Sequence, residues 1–455
     1  MIRAPIYRNS KPSNALESAK KRFEFLSKRR LNKRASYETT LYNDAASQYL
    51  VQVSIGTPAQ TFTVTLDTGS ADLWVPSSSC PTSECPLSRF DSTNSSTFKS
   101  LSESFSIQYG IGSANGTYAT DTVSVGGASV SSQQFGLASS TSDILDSASS
   151  NSNSVQGDGI LGLGYPSLTQ ANSQGSGSYN PFVFNLVSQN IISDPVFSIY
   201  LNSYSETGWS GEIIFGGVDS TKYDGDLAYL PVAGLTSRGS GLFGSSSSSY
   251  YYWMVYGTGV AVVNSTQGSN PTYTFSQTGA FILDTGTTLT YLPTTVAEEM
   301  VAAFAGSGGY AYDSSSGVYV VSCSAASSTA TFQLIMSQSS SSSSNPVTLS
   351  VPASQLVIPL DSTNINTAST CMFGIAPVSS SSLGSNMYLI GDSVLRSAYM
   401  VFDMGNNRVG LAASKGVGGS VTSSNTSSTD SSSATSLKQS MGLLVLTAAM
   451  TLWVL

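Results

Sequence analysis

The chain has 455 residues, of which 40% are apolar and only 10% charged, with a net charge of −8 and no histidine. The absence of histidine excludes a Ser-His-Asp triad, a Cys-His dyad and a histidine-ligated zinc, and four dispersed cysteines make a poor all-cysteine metal site. The length allows two or three domain-sized units, and the low charge, with serine, threonine and glycine in its place, suits many short strands and polar turns.

Charge is distributed unevenly. Residues 1–34 carry eleven Lys/Arg against two Asp/Glu, and the remaining chain eight against twenty-five. A basic head on an acidic body is not the pattern of a nucleic-acid binder; it is that of a segment that covers the body and is later removed. The head ends in SKRRLNKR, and the dibasic pair Lys33-Arg34 is the expected processing point. Residues 1–34 are therefore read as a propeptide outside the mature fold. The opening MIRAPIYRNSKPSN has no apolar run of the roughly 7–15 residues that a secretory leader uses. The expectation of secretion thus rests on other features.

From Tyr49 the pattern turns to β. YLVQVSIG (49–56) and TFTVTL (61–66) are short β-rich runs separated by Thr57-Pro58, and the second runs into Asp-Thr-Gly at 67–69. Cys80 and Cys85 then enclose a small loop. FSIQYGIGSANGTYATDTVSV (105–125) predicts a hairpin with Gly110 and Gly112 at its tip. Serine-rich runs at 139–156, 244–249 and 337–344 predict surface loops, since nothing in them offsets the entropy of ordering. GILGLG follows at 159–164, a helix is expected over 181–189, and FSIYL (197–201) and EIIFGG (212–217) are further strands. A second strand leads into Asp-Thr-Gly at 284–286. A helix is expected at 294–306, and Cys323 and Cys371 lie beyond it. YLIGDS (388–393) and YMVFDMGNNRVGLA (399–412) complete the body.

The chain closes with a Ser/Thr-rich stretch, 414–440, and an uncharged apolar tail, 441–455. Fifteen uncharged, mostly apolar residues are short for a spanning helix, which needs about 20. Small residues, a polar spacer and a terminal apolar tail form the pattern of a GPI-anchor signal, with Asn425 and Asp430 as candidate attachment residues. Four cysteines and the sequons at Asn94, Asn115, Asn264 and Asn425 agree with an oxidising, extracellular setting. Local pairing, Cys80 with Cys85 and Cys323 with Cys371, is one of three possible connectivities.

Each half thus holds a strand ending in Asp-Thr-Gly and, some 95 or 107 residues on, an apolar-apolar-Gly element. That weak repeat implies two related lobes with equivalent loops facing each other. A lone Asp-Thr-Gly is usually only a turn. Two copies in equivalent loops supply what cleavage of a polar bond needs: one ionised carboxylate to take a proton from water, and one protonated carboxyl to hydrogen-bond the carbonyl oxygen. Two carboxyls at close range share one proton. Gly69 and Gly286 let backbone N–H groups approach the carboxylates. Thr68 and Thr285 can lock the loops together, and Ser70 and Thr287 can bond the outer oxygens.

Over residues 46–413 the chain resembles the pepsin-like aspartic proteases. QYLVQVSIGTPAQTFTVTLDTGSADLWVPSSSC, GDGILGLGYP, FSIYL, GGVD, LDTGTT and LIGDSVLRSAYMVFDMGNNRVGLA occur in family order. The resemblance implies an all-β, bilobal acid protease fold, with two β-barrel-like lobes (35–220 and 221–413) flanking a cleft. It makes Asp67 and Asp284 the catalytic pair, Tyr109 the flap tyrosine and Trp74 the tryptophan that positions it, although both aromatics could equally be core. It implies no cofactor and no metal, extended polypeptides as substrates, and a monomer. The basic head and the GPI-like tail resemble the fungal surface-anchored, yapsin-like members, which sit at the plasma membrane or cell wall. Two departures stand out: the short Cys80/Cys85 loop replaces a longer insertion common in that group, and pepsin's third disulfide has no counterpart. The alternatives are a non-catalytic binding or adhesion protein on the same fold, and a freely secreted acid protease of broad specificity.

Overall fold

A computed structural model describes residues 1–8, 48–110, 112–145, 155–206, 208–236, 248–265, 269–341, 345–362, 364–378 and 386–423. Alternation decides the local structure. In the strand Gln60–Asp67, Phe62, Val64 and Leu66 are buried, and the strand delivers Asp67 at its C-terminal end. The strand Thr272–Leu283 begins exposed and ends in the buried run 280–283, immediately before Asp284. Both aspartates therefore sit at the end of a rigid, buried element.

The two halves repeat one arrangement. Gln60–Asp67 pairs in parallel with Gly159–Gly162, which also pairs antiparallel with Leu73–Pro76. Thr272–Leu283 pairs in parallel with Met387–Ile390, which pairs antiparallel with Thr290–Pro293. The repeat legible in the sequence is thus a repeated three-strand motif. In the first half, Tyr49–Ile55 also pairs with Ser113–Val125, which curls that end of a thirteen-stranded sheet toward a barrel. An eight-stranded sheet carries the second half. Ala398–Asp403, from the second half, pairs with Val196–Tyr200 from the first, so the halves share a sheet. The helices Phe182–Ser188 and Thr294–Ala305 form where expected. Disulfides join Cys80 to Cys85 and Cys323 to Cys371, which selects the local connectivity.

Three expectations are corrected. The head is not wholly outside the fold: Ile2–Arg8 is a strand between Gly208–Phe215 and Tyr49–Ile55, with Ala4 and Ile6 buried. Its alternating apolar residues supply what a sheet position requires, and the density of charge around them masked that pattern. Nor does a stalk begin at 414: Ser420–Ser423 adds an edge strand to Val347–Pro352, and Val417 is buried. The serine-rich run from 139 is still strand up to Ser142, because Ala128–Ser142 pairs along most of its length with Ser113–Val125. Lys33, Arg34, Asn425, Asp430 and the apolar tail lie outside the described residues.

Candidate active site

The two Asp-Thr-Gly loops meet. Thr68 Oγ1 donates to the Leu283 carbonyl (2.7 Å) and accepts from the Thr285 N–H (3.0 Å). Thr285 Oγ1 donates to the Leu66 carbonyl (2.9 Å) and accepts from the Thr68 N–H (3.2 Å). These reciprocal bonds cross more than two hundred residues of sequence and are buried, so no water competes for them.

Each carboxylate is held in the same way. Asp67 accepts from the Gly69 N–H (2.8 Å) and the Ser70 hydroxyl (2.5 Å); Asp284 accepts from the Gly286 N–H (2.9 Å) and the Thr287 hydroxyl (2.6 Å). A Cβ on Gly69 would lie 2.5 Å from the Asp284 carboxyl carbon, and one on Gly286 would lie 2.5 Å from Asp67 Oδ1. Each aspartate thus packs over the other loop's glycine, and any side chain there would push the pair apart. The apolar-Gly elements brace the loops from behind. Leu163 N–H donates to the Asp67 carbonyl and Gly164 N–H to that of Ser70, while Asp392 and Ser393 N–H donate to the carbonyls of Thr287 and Thr288.

Asp67 and Asp284 are buried. Burial, and next the charge of Asp284, push the Asp67 carboxyl well above the usual carboxylate range, against the hydrogen bonds from Ser70 and Gly69. Such a pair retains a proton between its members over a wide pH range, and its titration belongs to both.

The hairpin expected at 105–125 consists of the strands Lys99–Gln108 and Ser113–Val125, closed by the Tyr109 N–H to the Gly112 carbonyl (2.7 Å). Tyr109 and Gly110 are buried at its turn, and Trp74 Nε1–H donates to the Tyr109 hydroxyl (2.9 Å). The two aromatics are therefore both core and linked by a directed bond. Burial and the Asp67 charge raise the Tyr109 hydroxyl well above the ordinary phenol range, so it stays a neutral donor. The sequons Asn94, Asn115 and Asn264 are exposed, and Asn115 sits on the hairpin itself, where it accepts from Ser106 Oγ (2.7 Å).

Known proteins point to the same chemistry. A family profile described as "Eukaryotic aspartyl protease" matches residues 48–414. The chain belongs to that family. Mucorpepsin of Rhizomucor miehei is 37% identical over 373 residues, covering 82% of this chain and 79% of the relative. The acid protease of Saccharomycopsis fibuligera is 35% identical over 371 residues, 81% of each chain. Gastricsin of Rattus norvegicus is 33% identical over 380 residues, 83% of each. This family member is thus an aspartic peptidase with two disulfides. Sequence reasoning missed Asp72, Tyr118 and Tyr179, which form a polar cluster beside the first loop, with Asp72 and Tyr118 buried and Tyr179 half-buried over them. An acid inside the apolar run ADLWV was the available signal.

Proposed function

We propose that the protein is an aspartic endopeptidase in which Asp67 and Asp284 together activate one water, made as a zymogen and displayed at the cell surface by a GPI anchor. The observation that carries the catalytic reading is the reciprocal packing of each aspartate over the other loop's glycine. Two carboxyls so placed, in buried surroundings and sharing a proton, supply a general base for the water and an acid for the carbonyl oxygen and then the leaving nitrogen. No covalent intermediate is required. The substrate is an extended polypeptide lying under the 105–125 hairpin, where main-chain bonds can form as in strand addition.

The zymogen reading draws on the basic head and on its first strand, which is held in the sheet by pairing on both sides and by Arg3, 2.6 Å from Asp219 and 3.6 Å from Glu212. Cleavage after Arg34 would leave that strand held without a covalent link. The surface reading rests on the Ser/Thr-rich spacer and apolar tail beyond residue 424. Protein substrates at or outside the cell surface follow from it.

The test is cleavage of a peptide library by the full chain from about pH 3 to pH 7, with and without pepstatin, alongside Asp67→Asn and Asp284→Asn. Pepstatin-sensitive cleavage with a bell-shaped profile, abolished by either substitution, is the expected result. A folded protein that binds pepstatin but cleaves nothing would replace the protease reading with a binding role. Release of activity from intact cells by a phosphatidylinositol-specific phospholipase separates anchorage from free secretion.

A further inference from the structure

One buried carboxylate has no part in the chemistry above. Asp72 lies five residues beyond Asp67 and is fully buried. Its Oδ1 accepts from the hydroxyls of Tyr118 (2.6 Å) and Tyr179 (2.8 Å), and its Oδ2 accepts from the Gln170 N–H (2.9 Å). The Tyr118 hydroxyl accepts in turn from the Ala171 N–H (3.0 Å). The Tyr118 ring packs edge-on against Phe105 and Tyr179, at 5.3 and 5.7 Å, so both strands of the hairpin are involved. Three separate pieces of chain therefore converge on one side chain: the first catalytic loop, the outgoing strand of the hairpin, and the 169–179 segment. Trp74, which holds Tyr109, is two residues further along the same stretch.

The two halves correspond residue for residue over Asp67–Ser70 and 284–287 and then diverge. At the place of Asp72 the second half has Leu289, which is buried among apolar neighbours. A duplicated loop that carries a buried acid only on the side facing the hairpin points to a role in the hairpin rather than in the catalytic pair.

We propose that Asp72 is a positioning residue for substrate: its ionised carboxylate fixes the hairpin and the 169–179 segment against the first catalytic loop, and protonation loosens that wall. Only the carboxylate accepts all three donors without competition, because a proton on either oxygen would face an O–H or N–H already aimed at it. The groups facing Asp72 are Tyr118 from the hairpin strand, Tyr179 and the Gln170 N–H from the 169–179 segment, and Tyr109 at the hairpin turn. Among the described residues no lysine or arginine is hydrogen-bonded to it. Burial pushes the Asp72 carboxyl above the ordinary range despite its hydrogen bonds, so it takes up its proton at a higher pH than a free carboxylate does.

The proposal rests on the protease reading, and its experiment keeps the two apart. KM and kcat of the full-length enzyme for a quenched peptide, together with pepstatin affinity, are followed from pH 3 to pH 7 for wild type, Asp72→Asn, Tyr118→Phe and Tyr179→Phe. In wild type, 1/KM and pepstatin affinity should fall as the pH drops through the Asp72 titration. Asp72→Asn should lose that dependence, with KM raised about three- to tenfold at the upper end and kcat within about twofold. Each phenylalanine variant removes one donor to the carboxylate and should move the break to higher pH. Folded variants that keep the wild-type KM, affinity and break would overturn the proposal, and the two phenylalanine variants decide it if Asp72→Asn does not fold. If wild type cleaves nothing, the protease reading fails, and pepstatin affinity alone still decides the role of Asp72.

Discussion

The crossing threonines offer the most direct test of how the two halves form one site. Thr68→Val keeps the shape of the side chain and removes its hydroxyl. The Leu283 carbonyl then loses its donor and the Thr285 N–H its acceptor, both in buried surroundings. Each stranded polar group costs about 1–3 kcal/mol, so the substitution should destabilise the protein by about 2–6 kcal/mol. For a chain of this size that corresponds to a fall in Tm of about 2–7 °C. The same bonds set the spacing of the carboxylates, and a misplacement approaching 1 Å can cost about a hundredfold in rate. kcat should therefore fall by at least tenfold with KM little changed. Thr68→Ser, which restores the hydroxyl, should recover most of both. Thr285→Val should behave similarly, and the double variant should lose less than the sum, since both act on one lattice. Thermal unfolding and steady-state kinetics measure all of this. A Thr68→Val protein with wild-type Tm and kcat would refute the claim that these bonds hold the pair in register.

Four further outcomes are expected. Because the Asp67 carboxyl is raised in the folded state, its contribution to stability is full below the ordinary carboxylate pKa near 4 and is lost as the pH climbs through the raised value; Tm should decline toward neutrality, and Asp67→Asn should flatten that decline. Trp74→Phe removes the one directed bond from that side chain to Tyr109 and should lower kcat/KM by about 2- to 12-fold, the equivalent of a neutral hydrogen bond; an unchanged kcat/KM would mean that packing alone places Tyr109. The Cys323/Cys371 bridge spans 48 residues and the Cys80/Cys85 bridge five, so in the chain-entropy estimate replacing the first pair by serine should cost about 4 kcal/mol and the second about 2 kcal/mol, and denaturant unfolding would expose a reversed order. Asp219 is held down to about 2, chiefly by the Thr221 hydroxyl and with help from Arg3, so the Arg3 contact is fully present above the ordinary carboxylate range and lost as the pH falls toward 2; after cleavage in the 9–47 region, Arg3→Ala should speed loss of the N-terminal fragment a few-fold at pH 5 and pH 7 but not at pH 2, and equal rates at pH 5 would remove this pair as a retaining contact.

Most of the site was legible because its residues are local in sequence. Asp67, Thr68, Gly69 and Ser70 are contiguous, as are their counterparts 284–287, and each group follows an apolar strand that could be recognised by alternation. The sequence could name Thr68 and Thr285 as the residues that lock the loops, but not the backbone groups they meet. Nothing in the sequence states that Thr68 bonds to Leu283, or that the Gly162 region lies beside Asp67, because parallel pairing across some 95 residues leaves no local trace. Asp72 escaped notice for the same reason: a single acid in an apolar run looks like a surface residue until Tyr118 and Tyr179, 46 and 107 residues away, are seen to close over it. The head misled in the opposite direction, since its charge hid an alternation that places Ala4 and Ile6 in the core.

The strand position of Ile2–Arg8 constrains how the head could act. It lies between Tyr49–Ile55 and Gly208–Phe215, at the centre of the sheet the halves share, and not at an edge. Losing it would leave two strands with unpaired backbone groups facing a gap and would expose the surface now covered by Ala4 and Ile6. Cutting the chain after Arg34 does not by itself remove the strand, since its seven paired residues hold it independently of the covalent link. Nor does moderate acid release its ion pair, because Asp219 stays ionised down to about pH 2. Any release of the head's first strand must therefore break its backbone pairing on both sides as well as the contact of Arg3 with Asp219.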